Sequence, residues 1–243
     1  MSRIPTPASI ETSPAASQPL LEAVKKQLGS VPNMFRLIGN SPAALDGYLG
    51  LSAALGKGRL DGRTRQRIAV AVAETNGCAY CLSAHSYLAK NVAHLDDAEV
   101  DANRAGRSGD SKAEAALQFA TKVVRARGHV AAADVELVKA AGYDDGQIVE
   151  ILAHVALNTL TNYVNTSLGT AVDFPAITPR AEYGDLCAVA VSMGERVASD
   201  ATSRTVHGGR TFRFSSPEAK AMFDADPVSF RDKADAHWSR LQK

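Results

Sequence analysis

The sequence predicts an all-α domain followed by a small α+β module. The chain of 243 residues is rich in alanine and only 6% aromatic, a composition that favours helices. From residue 20 to residue 168, apolar side chains recur at helical spacing and are interrupted by glycine or proline. Two prolines in the polar stretch 173–179 then indicate a linker, and strand-forming residues follow around Gly208 and Gly209.

Each helix of the first domain is expected where a start signal precedes an apolar stripe. Pro19, Pro32 and Pro42 suit the first turn of a helix, and Ser111 with Glu114 has the pattern of a capping box. The expected helices lie at about 20–28, 32–38, 42–55, 61–75, 78–91, 95–106, 111–127, 134–141 and 144–168. The last is the longest and is apolar over much of its surface, which predicts a central position.

The two predicted domains are residues 1–177, which are helical, and residues 178–243, which form the α+β module. Three prolines make residues 1–16 an extended arm. In the module, a hairpin over 202–215 is expected to precede two helices, the first of which begins at Ser216.

The overall composition is that of a soluble globular protein, with 45% hydrophobic and 22% charged residues. The net charge of +1 gives no global field that would draw the chain to nucleic acid or to an anionic membrane. No apolar run approaches the ~20 residues of a membrane span, and residues 1–19 lack the apolar core of a secretory signal. Three cysteines, two of them in a CxxC, suit a reducing compartment, so a cytoplasmic location is expected.

The segment from Asn76 to His85 concentrates the chemistry of the chain. Cys78 and Cys81 lie three residues apart, and His85 follows four residues later. In a helix this i, i+3, i+7 spacing puts both sulfurs and the imidazole on one face. A thiol in the first helical turn has its pKa lowered by the exposed N–H groups, which favours a reactive thiolate.

These residues supply what a dithiol peroxidase needs. One cysteine attacks the peroxide and becomes a sulfenic acid, a second resolves it as a disulfide, and a base manages the protons. His85 is placed to act as that base. The other hypotheses for the CxxC are an inert buried pair and a zinc site, which would need a fourth ligand such as Cys187 or another histidine. No metal and no other cofactor is expected.

The run Cys78-Ala79-Tyr80-Cys81 with His85 resembles the AhpD-like alkylhydroperoxidases of the carboxymuconolactone decarboxylase superfamily. Residues 31–35 and 154–165 are also similar to its peroxidase-related branch, and the likeness covers residues 1–177. The resemblance implies an all-helical fold and a homo-oligomer. It further implies that Cys81 is peroxidatic, that Cys78 is resolving, and that His85 belongs to a proton relay.

In this family the relay includes a glutamate twelve residues before the first cysteine, and Gln66 stands at that position here. An amide cannot accept a proton, so the relay is incomplete as the family has it. Glu74, in the same expected helix, is the candidate substitute. Reduced peroxidase activity, or a shift toward thiol–disulfide exchange, is the expected consequence.

The expected function is a thiol-dependent peroxidase that acts on a hydroperoxide. The resemblance implies that its electrons come from a lipoyl-bearing or thioredoxin-like protein. A decarboxylase activity of the wider superfamily is the enzymatic alternative, although ring-opening lactone chemistry has no need of a CxxC. A non-enzymatic protein that senses redox state or handles metal is the third hypothesis.

The stretch from Cys187 to Phe230 resembles a YHS domain, a small module that often binds metal through cysteines. The aromatic residues of that pattern are present. Ser215, however, stands where the family has its helix-side cysteine, and only Cys187 remains of the first cysteine pair. We therefore expect a docking or oligomer-contact module without a metal centre.

Overall fold

The computed structural model describes residues 2–208 and 210–242 and divides the chain into two compact units, Met1–Thr178 and Pro179–Lys243. The helices of the first unit are α1 Gln18–Leu28, α2 Asn33–Ile38, α3 Pro42–Gly56, α4 Gly62–Thr75, α5 Ala79–Asn91, α6 Asp97–Arg104, α7 Ser111–Arg125, α8 Ala132–Ala140 and α9 Asp145–Leu168. The second unit contains α10 Ala188–Ser192, β1 Asp200–His207, β2 Arg210–Phe214, α11 Pro217–Ala225 and α12 Pro227–Leu241. The predicted class, a helical domain followed by a small α+β part, is confirmed. Within the described ranges, no helix is both long and apolar enough to cross a membrane.

Helix α4 is the centre of the helical unit because it is buried on nearly every side. All residues from Arg67 to Ala73 are buried, and α5, α6, α7 and α9 pack around the helix. Alanines alternate with Ile68, Val70 and Val72, so that neighbouring helices approach closely. The helix predicted at residues 61–75 is confirmed.

Helix α9 packs against α2, α3, α4, α5, α7 and α8, in line with its predicted central position, and leaves one face exposed. Val149 and Tyr163 are 64% and 62% exposed, and Leu160 is 46% exposed. The opposite face is buried and carries Ile151 and Asn165. Apolar content alone did not distinguish a face packed on other helices from one turned outward, because single apolar side chains are common on protein surfaces.

The first residues follow the helical unit as the extended arm that their prolines predict. The N–H of Arg3 donates to the carbonyl of Leu168 at 2.7 Å. The guanidinium of Arg36 donates to the carbonyl of Ala8, also at 2.7 Å. A single turn of 3-10 helix, Ala15–Ser17, ends the arm. These bonds tie the arm to α2 and to the end of α9.

A tight turn joins α4 to α5 and sets the position of the first cysteine. Gly77 adopts a φ of +65°, a left-handed conformation that glycine reaches at little cost. The N–H of Cys78 then donates to the carbonyl of Ala73 at 3.0 Å, so the chain folds back on the end of α4. Cys78 is consequently the N-cap of α5 and lies just before the first helical residue, not within the first turn.

The second unit has a core of aromatic side chains. Phe212, Phe214 and Phe223 are completely buried, and the ring centroids of Phe212 and Phe223 are 4.7 Å apart. The hydroxyl of Tyr183 donates to a carboxylate oxygen of Asp235 at 2.7 Å and so joins the start of the unit to α12. Aromatic burial stabilises this small unit, which has few other large apolar residues.

The predicted hairpin is an antiparallel pair of strands, β1 and β2. Thr205 lies opposite Phe212, and His207 lies opposite Arg210. Gly209, in the predicted turn, lies outside the described residues.

Burial of His154 on α9 predicts that acid destabilises the helical unit. The side chain is 6% exposed, and its Nε2 has no hydrogen-bond partner within the described residues. Desolvation therefore lowers the pKa of His154 to about 4. The unfolded chain binds this proton below about pH 6.5 and the folded chain only below about pH 4, so stability falls as the pH drops through that window. The loss is up to about 3 kcal/mol.

Chemical denaturation at pH 7 and at pH 4.5 measures this loss, and His154→Phe should reduce it. The exposed His129 is the control site, because His129→Phe should leave the pH dependence unchanged. The same pH dependence in the wild type and in His154→Phe would contradict the prediction.

Candidate functional site

Both cysteines of the CxxC lie at the start of α5 and are buried free thiols. Cys78 is 1% exposed and Cys81 is 2% exposed. The sulfur of Cys78 accepts the backbone N–H of Cys81 at 3.2 Å. A serine or aspartate side chain makes the same bond at an ordinary helix start. Negative charge on Cys78 is therefore favoured by the unpaired N–H groups of α5.

Helix α9 places two asparagine side chains at the second sulfur. Asn165 donates from Nδ2 to the sulfur of Cys81 at 3.2 Å. Asn162, one turn earlier, has an Nδ2 without a hydrogen-bond partner within the described residues, and its amide acts to lower the pKa of Cys81. Asn76 sets the orientation of this amide, because its Nδ2 donates to Oδ1 of Asn162 at 2.8 Å.

These surroundings separate the two thiols. The pKa of Cys78 is lowered, chiefly by hydrogen bonding with Cys81 and further by the hydroxyl of Thr166, against the effect of burial. The pKa of Cys81 is raised, because burial and the neighbouring Cys78 outweigh the amides of Asn165 and Asn162. Within the pair, deprotonation is therefore favoured at Cys78 over Cys81.

His85 contacts the residue that occupies the position of the family glutamate. Its Nδ1 lies 3.2 Å from Oε1 of Gln66, an oxygen that accepts an N–H. A proton on Nδ1 leaves Nε2 as the basic nitrogen of the ring. Desolvation lowers the pKa of His85 to about 4, so the ring is neutral at pH 7. Gln66 thus orients His85 but cannot take its proton.

Glu74 lies at the other end of α4 and is engaged with a cation. Its Oε2 accepts from Nε of Arg104 at 2.6 Å, and the two side chains are 9% and 16% exposed. Arg104 also donates to the carbonyl of Thr178 at 3.0 Å. The ion pair gives Glu74 a structural role between α4 and α6. Its service as the relay carboxylate in place of Gln66 stays a prediction.

Aromatic side chains surround the thiols. The hydroxyl of Tyr80 accepts the N–H of Met34 at 3.2 Å, and its ring meets that of Phe174 edge-on with centroids 5.9 Å apart. Burial, and secondarily the charge of Cys81, raises the pKa of Tyr48 on α3 to about 12. The hydroxyls of Tyr48 and Tyr80 are therefore neutral at pH 7.

Sequence reasoning assigned no role to Asn76, Asn162 and Asn165, which the structure brings to the site. A signal was present on α9, because buried polar residues are costly and Asn158, Asn162 and Asn165 recur there at helical spacing. Spacing shows that Asn162 and Asn165 share a face of α9. It does not show that this face meets α5.

The second unit holds the third cysteine beside Ser215. Although burial opposes it, the pKa of Cys187 is lowered by hydrogen bonds from the hydroxyl and the N–H of Ser215. Within the described residues, no group of three histidine, cysteine or acidic side chains is arranged to hold a metal ion. The YHS-like character of this unit stays a prediction.

Comparison with known protein families matches residues 42–122 to the carboxymuconolactone decarboxylase family. The matched segment contains both cysteines of the CxxC and His85. A curated relative, an uncharacterized protein of Haemophilus influenzae, is 41% identical over 64 residues. That match takes in 26% of this chain and 51% of the relative, so the chain spans about half the length of the curated protein it matches.

Three solved structures share the fold of the helical unit. An uncharacterized peroxidase-related protein from Ralstonia eutropha JMP134, described as an alkylhydroperoxidase AhpD core, is 26% identical with a TM-score of 0.64, over 71% of this chain and 92% of that one. A peroxidase-related protein from Silicibacter sp. TM1040 is 24% identical with a TM-score of 0.62, over 70% and 91%. A cysteine-to-alanine variant of the debrominase Bmp8, in complex with 2,3,4-tribromopyrrole, is 20% identical with a TM-score of 0.60, over 71% and 94%.

Residues 42–122 match the carboxymuconolactone decarboxylase family, and the first unit has the fold of an AhpD-like core. The resemblance seen in the CxxC and its flanking segments is thereby confirmed.

A carboxylate restored at position 66 should change the protonation of His85. In Gln66→Glu a negative charge would face Nδ1 and favour the imidazolium, so the pKa of His85 should rise from about 4. Titration of the ring by NMR measures this pKa. Gln66→Met is the neutral control and should produce no rise. The same pKa in the two variants would contradict the contact between positions 66 and 85.

Proposed function

We propose that this protein is a thiol-dependent hydroperoxidase that cycles between the dithiol and the disulfide of Cys78 and Cys81. The observation that carries the proposal is a single buried site in which two free thiols each accept a hydrogen bond. An inert buried pair needs no donors at its sulfurs, whereas a thiolate is stabilised by them. The name of the Ralstonia eutropha protein, peroxidase-related, supports the same class.

The proposed reaction has three steps. A thiolate attacks the terminal oxygen of the hydroperoxide, the O–O bond breaks, and the products are a sulfenic acid and an alkoxide that gains a proton to become the alcohol. The second thiolate attacks the sulfenic sulfur, and the hydroxyl leaves with a proton as water, which forms the disulfide. A lipoyl-bearing or thioredoxin-like dithiol protein then reduces this disulfide and is itself oxidised to a disulfide.

The proposal keeps the roles that the family resemblance implies, with Cys81 attacking and Cys78 resolving. Because deprotonation is favoured at Cys78 over Cys81, attack by Cys81 requires its own proton to pass to the Cys78 thiolate. His85, neutral at pH 7, is proposed to carry a proton between this pair and the departing alkoxide. Glu74 and Gln66 are then outside the direct path of the proton.

Burial limits the oxidant that this site can admit. With Cys78 and Cys81 only 1% and 2% exposed, a small or slender hydroperoxide reaches sulfur more readily than a bulky one. We also propose a reducing, cytoplasmic setting, because an oxidising compartment would hold a nearby dithiol as its disulfide.

Two alternatives remain distinct from a peroxidase. A decarboxylase acting on a lactone is the activity in the name of the matched family. A redox sensor would undergo a single oxidation without turnover. Neither explains as directly why donors are directed at both sulfurs of the CxxC.

Titration of thiols tests the proposed cycle. One equivalent of ethyl hydroperoxide, a small oxidant, should remove two thiols from the wild-type protein as Cys78 and Cys81 form a disulfide. Cys81→Ser should abolish this loss, whereas Cys78→Ser should stop at a sulfenic acid on Cys81 that dimedone traps. Cys187→Ser is the matched control and should still lose two thiols. Unchanged thiols in the wild type would rule out the peroxidase. A dimedone adduct that forms in Cys81→Ser and not in Cys78→Ser would show that Cys78 attacks and Cys81 resolves.

We also propose that the protein self-associates through the outer face of α9. Val149, Leu152, Leu160 and Tyr163 are 64%, 39%, 46% and 62% exposed, and their spacing places them along one side of the helix. A continuous apolar stripe on a soluble domain is typical of a contact between copies.

Light scattering after size-exclusion chromatography tests this face. Leu160→Glu should convert the oligomer to monomer, because a carboxylate would be buried without a partner. Leu137→Glu, at a 68% exposed position on α8, is the control and should leave the mass unchanged. A monomeric wild type, or an unchanged mass in Leu160→Glu, would contradict the proposal.

A further inference from the structure

We propose that Asn162 and Asn165 are thiolate-binding residues, whose side-chain amides together hold the sulfur of Cys81 when it is anionic. This inference rests on the proposed thiol chemistry and names the groups that make it possible without the family glutamate. In this chain, fixed hydrogen-bond donors would stabilise the Cys81 thiolate, which a complete proton relay would otherwise help to form.

The two amides are buried deeply enough to require an explanation. Asn162 is 1% exposed and Asn165 is 3% exposed, on a helix whose buried face also carries His154, Asn158 and Thr161. Burying an amide costs free energy unless its donors and acceptors are paired. Asn165 directs its Nδ2 to Cys81 at 3.2 Å, which is a weak bond to a neutral thiol and a strong one to a thiolate.

Asn162 gives the second observation. Its Nδ2 is buried and has no hydrogen-bond partner within the described residues, although it acts on Cys81. A purely structural asparagine would be placed so that both ends of the amide are paired. A negative charge on the sulfur of Cys81 would attract this N–H more strongly than a neutral thiol does, which favours the anionic state of the sulfur.

Asn76 holds Asn162 in this orientation. The 2.8 Å bond from Asn76 Nδ2 to Asn162 Oδ1 fixes which end of the amide faces the sulfur. Asn76 directly precedes Gly77, so the turn that sets Cys78 at the helix N-terminus also orients a donor to Cys81. Asn76 acts through Asn162 and is therefore a positioning residue.

The two sulfurs thus have separate stabilising groups. Backbone N–H groups of α5 and the hydroxyl of Thr166 stabilise negative charge on Cys78, whereas the two asparagines of α9 stabilise it on Cys81. Cys78, Tyr48 and Tyr80 are titratable groups that interact with Cys81. Of these, the two tyrosines have raised pKa values and stay neutral at pH 7. His85, on the same helix, contacts Gln66.

The inference is tested by alkylating Cys81 with iodoacetamide in a Cys78→Ser background. Mass spectrometry measures the rate of this reaction at a series of pH values. Asn165→Ala should slow the reaction about tenfold at pH 7 and move its pH midpoint upward, because one hydrogen bond to a charged sulfur is lost. Asn162→Ala and Asn76→Ala should shift the midpoint in the same direction. Asn165→Asp, which keeps the shape and adds a negative charge, should slow the reaction further.

Asn158→Ala is the matched control. Asn158 is also buried on α9, but its Nδ2 donates to the carbonyl of His154 at 2.7 Å, so its loss should leave the alkylation of Cys81 unchanged. In a Cys81→Ser background, Asn165→Ala should leave the alkylation of Cys78 unchanged, whereas Thr166→Val should slow it.

The inference is overturned if Asn165→Ala and Asn165→Asp both leave the pH midpoint of Cys81 in place. It is also overturned if Asn158→Ala shifts that midpoint equally, since the effect would then be a general loss of packing. Alkylation requires no peroxide, so these outcomes do not depend on turnover. Failure of the hydroperoxidase proposal would show instead as unchanged thiols after treatment with ethyl hydroperoxide.

Discussion

The N–H of Cys81 donates to the sulfur of Cys78, and this 3.2 Å bond ties the start of α5 to the turn before it. The bond exists because Gly77 takes a left-handed conformation and returns the chain toward the end of α4. Helix α4 is in turn fixed by burial on nearly every side. The place of the first thiol therefore depends on the packed centre of the unit and not on a flexible loop.

The electrostatics of the site differ from those of a complete carboxylate–histidine relay. Gln66 faces His85 and can only orient it, and the buried imidazole is neutral at pH 7. Charge at the thiols is stabilised by dipoles, which are the N–H groups of α5 on one side and the amides of α9 on the other. Such dipoles are set in place by folding and need not rearrange when charge develops.

Comparison with solved structures shows the fold of the helical unit but does not identify the reaction. The fold of the first unit occurs in peroxidase-related proteins and, at 20% identity, in a debrominase. One scaffold therefore carries more than one chemistry, and the side chains around the thiols must decide between them. In this chain those side chains are Asn162, Asn165, His85 and Gln66. The second unit packs around its own aromatic core.

The sequence by itself determined the helical class, the approximate places of the helices, the hairpin, and the CxxC with its histidine. These features are local, because capping residues, glycine, proline and apolar periodicity act over a few neighbouring positions. It could not show which face of α9 packs on the other helices, since apolar residues lie on both faces. Only the tertiary structure decided that Asn162 and Asn165 meet Cys81 across more than 80 positions of chain, and that Glu74 is bound to Arg104. Contacts of that kind depend on how helices pack against one another, which spacing within a single helix does not encode.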